Sequence, residues 1–314
     1  MRMTFKYGIW IILGIVVLLS SLLLKGFLSY YNLVDIIDSI VTIGLLGLAE
    51  SVCLLVGGID LSVGTTVGLT GIMSAILIRS GAPGFLVVLA ALGIGLLIGL
   101  VNAILVVKIK VNPFIATMGT LFVGLGIEKV VTRGGLPIYL WGIHSGWFRV
   151  LGQAKIAGIP TSVLIFIFVS VFIGIVVHRG VIGRKFYAVG SNIIASRYAG
   201  VNTNQVIAFT FLIAGLLSSI AGLLLAARFS AGLPKVGESF LWDALAAAYL
   251  GIVISAYSRG SIPATVGGAI VIGTIMNILG LLGAGLGWMQ VAKGALLYIV
   301  GVVSSPRIKG AQQL

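Results

Sequence analysis

The amino-acid sequence predicts an all-α membrane protein, a polytopic bundle of about ten membrane-crossing helices. Of its 314 residues, 59% are apolar, only 9% are charged and 45 are glycine. The mean hydropathy is +1.22. A water-soluble domain cannot solvate such a surface. Apolar runs recur along the chain, each long enough at 1.5 Å per residue to cross roughly 30 Å of hydrocarbon.

Taken between polar breaks, the runs place spans at 8–24, 36–56, 62–79, 85–107, 113–131, 161–178, 206–227, 241–256, 262–280 and 287–304. Together they form a single transmembrane domain over 1–314. Arg2 and Lys6 precede the first run as they would in a signal peptide, but no small-x-small cleavage site follows, so an uncleaved first span is expected.

The net charge of +13 raises nucleic acid as a partner. The basic residues stand singly between apolar runs instead of forming a stripe, which points to membrane topology. With the N-terminus cytoplasmic, the inner loops hold Arg2, Lys6, Lys108, Lys110, Arg179, Arg184, Lys185, Arg197, Arg259, Arg307 and Lys309. The outer loops hold Lys25, Arg79, Lys129, Arg133, Arg149, Lys155, Arg228 and Lys235. The inner excess places both termini in the cytoplasm.

Two polar interruptions exceed simple turns. Residues 132–160 face outward and carry Trp141, Trp147 and Phe148, rings expected at headgroup level. Residues 179–205 face the cytoplasm. There Ser191 or Asn192 can cap a short helix that Gly200 ends, with Ile193 and Arg197, and Ile194 and Tyr198, paired four apart. Glycines four apart, such as Gly95 and Gly99, suit close helix packing.

Gly57-Gly58-Ile59-Asp60-Leu61-Ser62-Val63-Gly64 leaves almost no linker between two runs, so the chain breaks at membrane depth. Such backbone is tolerated only against protein or a watery cavity. Asp60 stands where its carboxylate can cap the following helix. Asn112-Pro113 opens the fifth span, with Phe114 and Thr117 three apart on one face as candidates to line a path. Glu50 lies inside the second span, and Lys293, the one cation lying well inside a span and not near its end, is its candidate partner.

Other chemistry is poorly supplied. Cys53 stands alone in an apolar run, so no disulfide or CxxC pair exists. Neither His144 nor His178 has a second ligand at metal spacing. Gly283-Ala284-Gly285-Leu286-Gly287 looks like a phosphate loop but reads as a turn between spans, and no GxxxxGK followed by Ser or Thr occurs.

The octet at 57–64 closely resembles a signature of the permeases of ATP-binding cassette importers for ribose, xylose and arabinose, a branch that includes autoinducer-2 importers. Asn112 to Leu121, Gly183-Arg184 with Tyr187, Gly190 and Asn192, then Pro234, Gly237, Glu238 and Asp243, and finally Trp288 to Gly294 resemble further family blocks, in family order. The resemblance implies a larger-bundle (type II) importer permease working as one of a pair of permease chains. ATP and magnesium would be bound by a separate cytoplasmic ATPase subunit, with no cofactor in this chain.

It further implies that Gly183, Arg184, Tyr187, Gly190, Asn192, Arg197 and Gly200 belong to the coupling segment on that ATPase. Asp60, Ser62, Asn112, Phe114, Thr117 and Asn277 become candidates for the translocation path or gate. A periplasmic sugar-binding protein would dock on a basic outer rim of Arg133, Arg149, Lys155, Arg228 and Lys235. The rival from another class is a secondary transporter with Glu50 carrying a coupling ion.

Overall fold

A computed structural model describes residues 2–143, 146–255 and 260–312. His144 and Arg259 lie outside the described residues, as do the side chains of Arg2, Lys6, Arg307 and Lys309. The first helices are α1 (Arg2–Leu23), α2 (Tyr30–Leu55), α3 (Val63–Arg79), α4 (Gly84–Ala103), which runs on as a π-helical turn (Ile104–Lys108), and, after a short link, α5 (Pro113–Val131). Then come β1 (Ile138–Tyr139), α6 (Gly146–Gln153), β2 (Lys155–Ile156), β3 (Ile159–Pro160), α7 (Thr161–His178), α8 (Val181–Ser191) and α9 (Ile193–Tyr198). The chain finishes with α10 (Thr203–Phe229), β4 (Ala231–Gly232), α11 (Val236–Ile254), α12 (Ile262–Leu281) and α13 (Leu286–Gln312).

Among the described residues, seven helices are long and apolar enough to cross a membrane: Tyr30–Leu55, Gly84–Lys108, Pro113–Val131, Thr161–His178, Thr203–Phe229, Val236–Ile254 and Ile262–Leu281. The other three expected spans coincide with shorter apolar helices, Trp10–Leu23, Val63–Arg79 and Gly287–Val303. The expected ten is therefore seven by length. In α3 the cause is the break before it, which leaves 17 helical residues, about 26 Å of rise.

Helix α10 sits at the centre, packed on α4, α3 and α2. Glycine sets its approach to α4. A Cβ on Gly215 would stand 2.0 Å from the Gly95 carbonyl oxygen, and one on Gly99 2.5 Å from that of Phe211. Dispersion and close backbone contact are what hold helices together where lipid removes the hydrophobic drive. Leu45, Leu48, Val67, Phe211, Leu217 and Leu241 fill the core between these helices. Phe85 and Leu97 on α4, Phe122 and Val130 on α5, and Phe168 and Phe172 on α7 are exposed, the apolar surface a bilayer accepts.

The segment after α5 is folded onto one end of the bundle. β1 pairs antiparallel with β4, and β2 with β3 through a turn in which Ala157 and Gly158 both have positive φ, as a tight hairpin requires. One of the three rings expected at headgroup level is elsewhere. Phe148 is fully buried against Val87, Leu140 and Ala227, because Gly152 lets α6 rest on the end of α10. Trp141 is 76% exposed and stacks on Tyr139, while Trp147 covers Gly84.

The link from α10 to α11 is tight. Ser230 (φ 46) and Lys235 (φ 61) both adopt the left-handed conformation without being glycine, each at a cost of ~1–2 kcal/mol. We expect Phe148→Ala to destabilise the detergent-solubilised protein by about 3 kcal/mol, the cost of a large core cavity. Trp141→Ala should change thermal stability little. Equal effects would mean that α6 is not packed as described.

Candidate functional site

The break at 56–62 organises a polar cluster. Helix α2 ends as the N–H groups of Val56 and Gly58 donate back to the Cys53 carbonyl at 3.1 and 2.9 Å, with Gly57 at φ +81. The Asp60 N–H then donates to Glu50 Oε2 at 3.3 Å. The Asp60 carboxylate accepts from the Ser62 N–H (3.0 Å), the Ser62 hydroxyl (2.6 Å) and Asn102 Nδ2 (3.3 Å). Asn102 also donates to Ser62 Oγ at 2.7 Å and accepts from the Thr120 hydroxyl at 2.6 Å. Thr117 donates to the Ile59 carbonyl at 3.3 Å. One knot thus joins α2, the break, α4 and α5.

This geometry refines the capping expectation. Asp60 closes the N–H of Ser62, the residue before α3, while α3 itself has no side-chain cap. It also separates the path candidates. Asp60, Ser62 and Thr117 are at most 1% exposed and bonded inside the knot, whereas Phe114 is 49% exposed on another side of α5. Phe114 and Thr117 therefore do not share a lining face. Asn112 is the exposed N-cap of α5, accepting from the Phe114 N–H at 2.9 Å. Asn277 is at the opposite end, donating to Asn32 Oδ1 at 2.9 Å, about 27 Å along α2 from Glu50.

The expected Glu50–Lys293 pair does not form. Lys293 Nζ on α13 donates to Asp243 Oδ2 and to the Ser239 carbonyl on α11, both at 2.8 Å. Asp243 is 7 residues into α11 and Lys293 7 into α13, so the two meet at matching depth. Glu50, fully buried, keeps only the Asp60 N–H, and its Oε1 has no hydrogen-bond partner among the described residues.

Two further clusters escaped the sequence reading. On α2, Asp35 and Asp38 both pair with Arg228 at the end of α10, at 2.7 and 3.2 Å, and Ser162 of α7 donates to Asp38 at 2.9 Å. Arg228 is therefore engaged within the chain and is no free rim charge. The signal was available, since acids three apart share a helix face and can bracket one cation. The second is Glu128 of α5, fully buried, which accepts from the Thr65 hydroxyl at 2.9 Å and the Lys235 N–H at 2.6 Å. As an acid inside an apolar run it too merited notice.

The remaining rim candidates, Arg133, Arg149, Lys155 and Lys235, are exposed at the α6 end. Lys155 donates to the Tyr30 hydroxyl and lies 4.3 Å from that ring's centroid. The coupling candidates lie at the other end. Gly183 has no room for a Cβ, which would stand 1.8 Å from the Val177 carbonyl oxygen, so α8 folds tightly back on α7. Tyr187 donates to the Gly260 carbonyl at 3.2 Å, and His178 Nε2 accepts from the Ile262 N–H at 3.2 Å. Arg184 is exposed and Gly190 half-buried within α8.

Asn192 caps α9 by accepting from the Ala195 N–H at 2.9 Å, and Gly200 ends it at φ +81. Arg197 is exposed there, and Ile194 and Tyr198 project at 66% and 91% exposure. Cys53 is buried, and among the described residues no three His, Cys, Asp or Glu gather as a metal site would need.

Lys293→Met should leave Asp243 buried and unpaired and destabilise the protein by about 3 kcal/mol. Glu50→Gln should cost under ~1 kcal/mol, because an amide oxygen also accepts the Asp60 N–H. Denaturation in mixed detergent checks both. A loss with Glu50→Gln as large as with Lys293→Met would contradict this pairing.

The sequence matches a family profile described as the permease component of branched-chain amino acid transport systems over residues 32–301. It is 34% identical to the ribose import permease protein of Bacillus subtilis over 94% of this chain and 91% of that one. It is 32% identical to the D-allose transport system permease protein of Escherichia coli over 96% and 92%. It is 28% identical to the autoinducer 2 import system permease protein of an Enterobacter strain over 96% and 92%. No solved structure matches. The family's work is that of a permease whose ATP is hydrolysed by a separate subunit, not that of an ion-coupled carrier or an enzyme. With helices that can cross a membrane several times and matches running nearly end to end, the chain belongs to the permease components of ATP-binding cassette importers, in the branch that holds the ribose, allose and autoinducer-2 permeases.

Proposed function

We propose that this permease moves a monosaccharide, or a related polar metabolite, from a periplasmic binding protein into the cytoplasm by alternating access. The observation that carries the cargo class is the near full-length similarity to permeases named for ribose, allose and galactofuranose. The chain lies in the bacterial inner membrane as one domain, with α1, α3 and α13 completing ten crossings and both termini in the cytoplasm. The α6 end then faces the periplasm, and Arg133, Arg149, Lys155 and Lys235 form the docking rim. The end bearing α8 and α9 faces the ATPase, which holds ATP and magnesium.

Two permease chains pair, since a path cannot run through a bundle packed this closely at its centre. The exposed faces of α4, α5 and α7 are the apolar surfaces left for lipid and for a partner copy. Asn112 and Phe114 sit at the start of α5, beside the break, where the path meets the cytoplasm. Asp60, Ser62 and Thr117 act there as gate supports behind the lining, and Asn277 belongs to the outer end. The coupling contact is α9. Ile194 and Tyr198 are the kind of projecting apolar and aromatic groups that anchor a protein interface, with Arg197 beside them and α8 carrying the movement to α7 and α12.

Gentle purification of the tagged chain from its native membrane should bring down a Walker-motif ATPase and a binding protein, both readable by mass spectrometry. A chain that comes alone, and transports on an ion gradient without ATP, would contradict the importer reading. Ile194→Ala with Tyr198→Ala should weaken ATPase association by about tenfold or more. Thermal stability of the free permease should not change, because both side chains are exposed.

A further inference from the structure

Residues 230–235, the elbow between α10 and α11, are held mainly by other parts of the chain. The Leu140 N–H donates to the Ser230 carbonyl at 2.9 Å, and Gln153 Nε2 reaches the Ser230 hydroxyl at 2.9 Å. The Lys235 N–H is held by Glu128 at 2.6 Å. Lys235 is the N-cap of α11 yet supplies no side-chain cap, so the carboxylate that closes this helix start comes from α5. The positive end of the α11 dipole favours an anion there. Space for it is reserved, because a Cβ on Gly68 would stand 2.2 Å from Glu128 Oε1.

The same helix reaches the break. Thr117 and Thr120 of α5 bond to Ile59 and Asn102 in the knot, and Glu128 lies about 17 Å further along a continuous helix. A rigid rod thus joins the broken backbone at one end of the bundle to a strained backbone at the other. Left-handed non-glycine residues persist only where their surroundings over-determine them, and they concentrate at switch regions. Here the surroundings are three clamps from separate elements.

We propose that Glu128 is a positioning residue that grips the elbow, and that α5 uses this grip to move the elbow when the break rearranges, opening and closing the outer mouth. The proposal rests on the importer reading. Neither Glu128 nor the elbow need touch the cargo. Glu238, exposed in the first turn of α11, is the nearest other acid and faces the same helix start, and Lys235 directs its side chain to solvent.

The test uses the assembled transporter in vesicles, with hydrogen exchange on the same preparation. Glu128→Gln keeps the shape but loses the charge-assisted bond, so amide exchange across 230–236 should quicken about tenfold. Lys235→Gly removes the left-handed penalty, so the melting temperature should rise by about 2 °C, while ATP-driven uptake falls at least threefold because the elbow no longer leaves its present conformation readily. Lys235→Gln removes the same rim charge and keeps the strain, so any docking loss is common to both variants, and uptake by Lys235→Gly should fall at least threefold below that of Lys235→Gln.

Unchanged exchange in Glu128→Gln would overturn the proposal. So would a Lys235→Gly protein that melts higher and transports normally, or a Lys235→Gln protein as slow as Lys235→Gly. If the parent itself shows no ATP-driven uptake, the importer reading fails, while the exchange result still decides whether Glu128 holds the elbow.

Discussion

A carboxylate carried into a bundle surrounded by hydrocarbon has to find donors, because neither water nor lipid will supply them. The protein has seven acidic residues, and six of them bond outside their own helical segment. Asp35 and Asp38 bind α2 to α10, Asp60 binds the break to α4, Glu50 binds α2 to the break, Glu128 binds α5 to the α11 start, and Asp243 binds α11 to α13. In a bundle whose helices otherwise meet through glycine and apolar side chains, these bonds fix which helix sits beside which and at what depth. Except at the exposed Asp35, breaking one leaves a buried carboxylate uncompensated, a far larger penalty than the net worth of making it.

The acids are not spread evenly. Asp35, Asp38 and Glu128 lie at the α6 end together with the basic segment that packs there, and the Glu50–Asp60 knot lies toward the end bearing α8 and α9. Helices α2 and α5 contribute to both levels. Under the proposed coupling, a movement received at α8 and α9 meets a polar knot first, and the long helices leaving that knot run to the opposite end of the bundle. Dispersion contacts such as Gly95–Gly215 permit sliding more easily than hydrogen bonds do, which makes the polar levels the natural fixed points of any rearrangement.

Much of this was legible in the sequence. The fifth and sixth spans match α5 and α7 residue for residue, since Asn112-Pro113 and Pro160-Thr161 mark their starts and polar residues their ends. The α9 stop at Gly200 was equally readable, being local, and its cap was narrowed to Ser191 or Asn192, of which Asn192 serves. Pairings between distant residues were not. Lys293 was matched to Glu50 because both are charges inside spans, but depth and helix neighbourhood decide such pairs, and only packing reveals that α13 lies on α11. Phe148 was misplaced for a related reason. Its ring suits an interface, yet Gly152 four residues on lets α6 descend onto α10 and carries the ring inside. Asp35, Asp38 and Glu128 carried a signal in their unusual setting, although nothing local names Arg228 or the Lys235 amide as their partners.

The central claim is that the knot at the break ties α2, α4 and α5 into one unit. A double-mutant cycle on Asp60→Ala and Asn102→Ala, read as unfolding free energy in mixed detergent, tests it most directly. The account predicts a coupling energy of about 1–2 kcal/mol, because the two side chains share Ser62 as well as a direct bond. Losses that add to within ~0.3 kcal/mol would show independent residues and would contradict the knot.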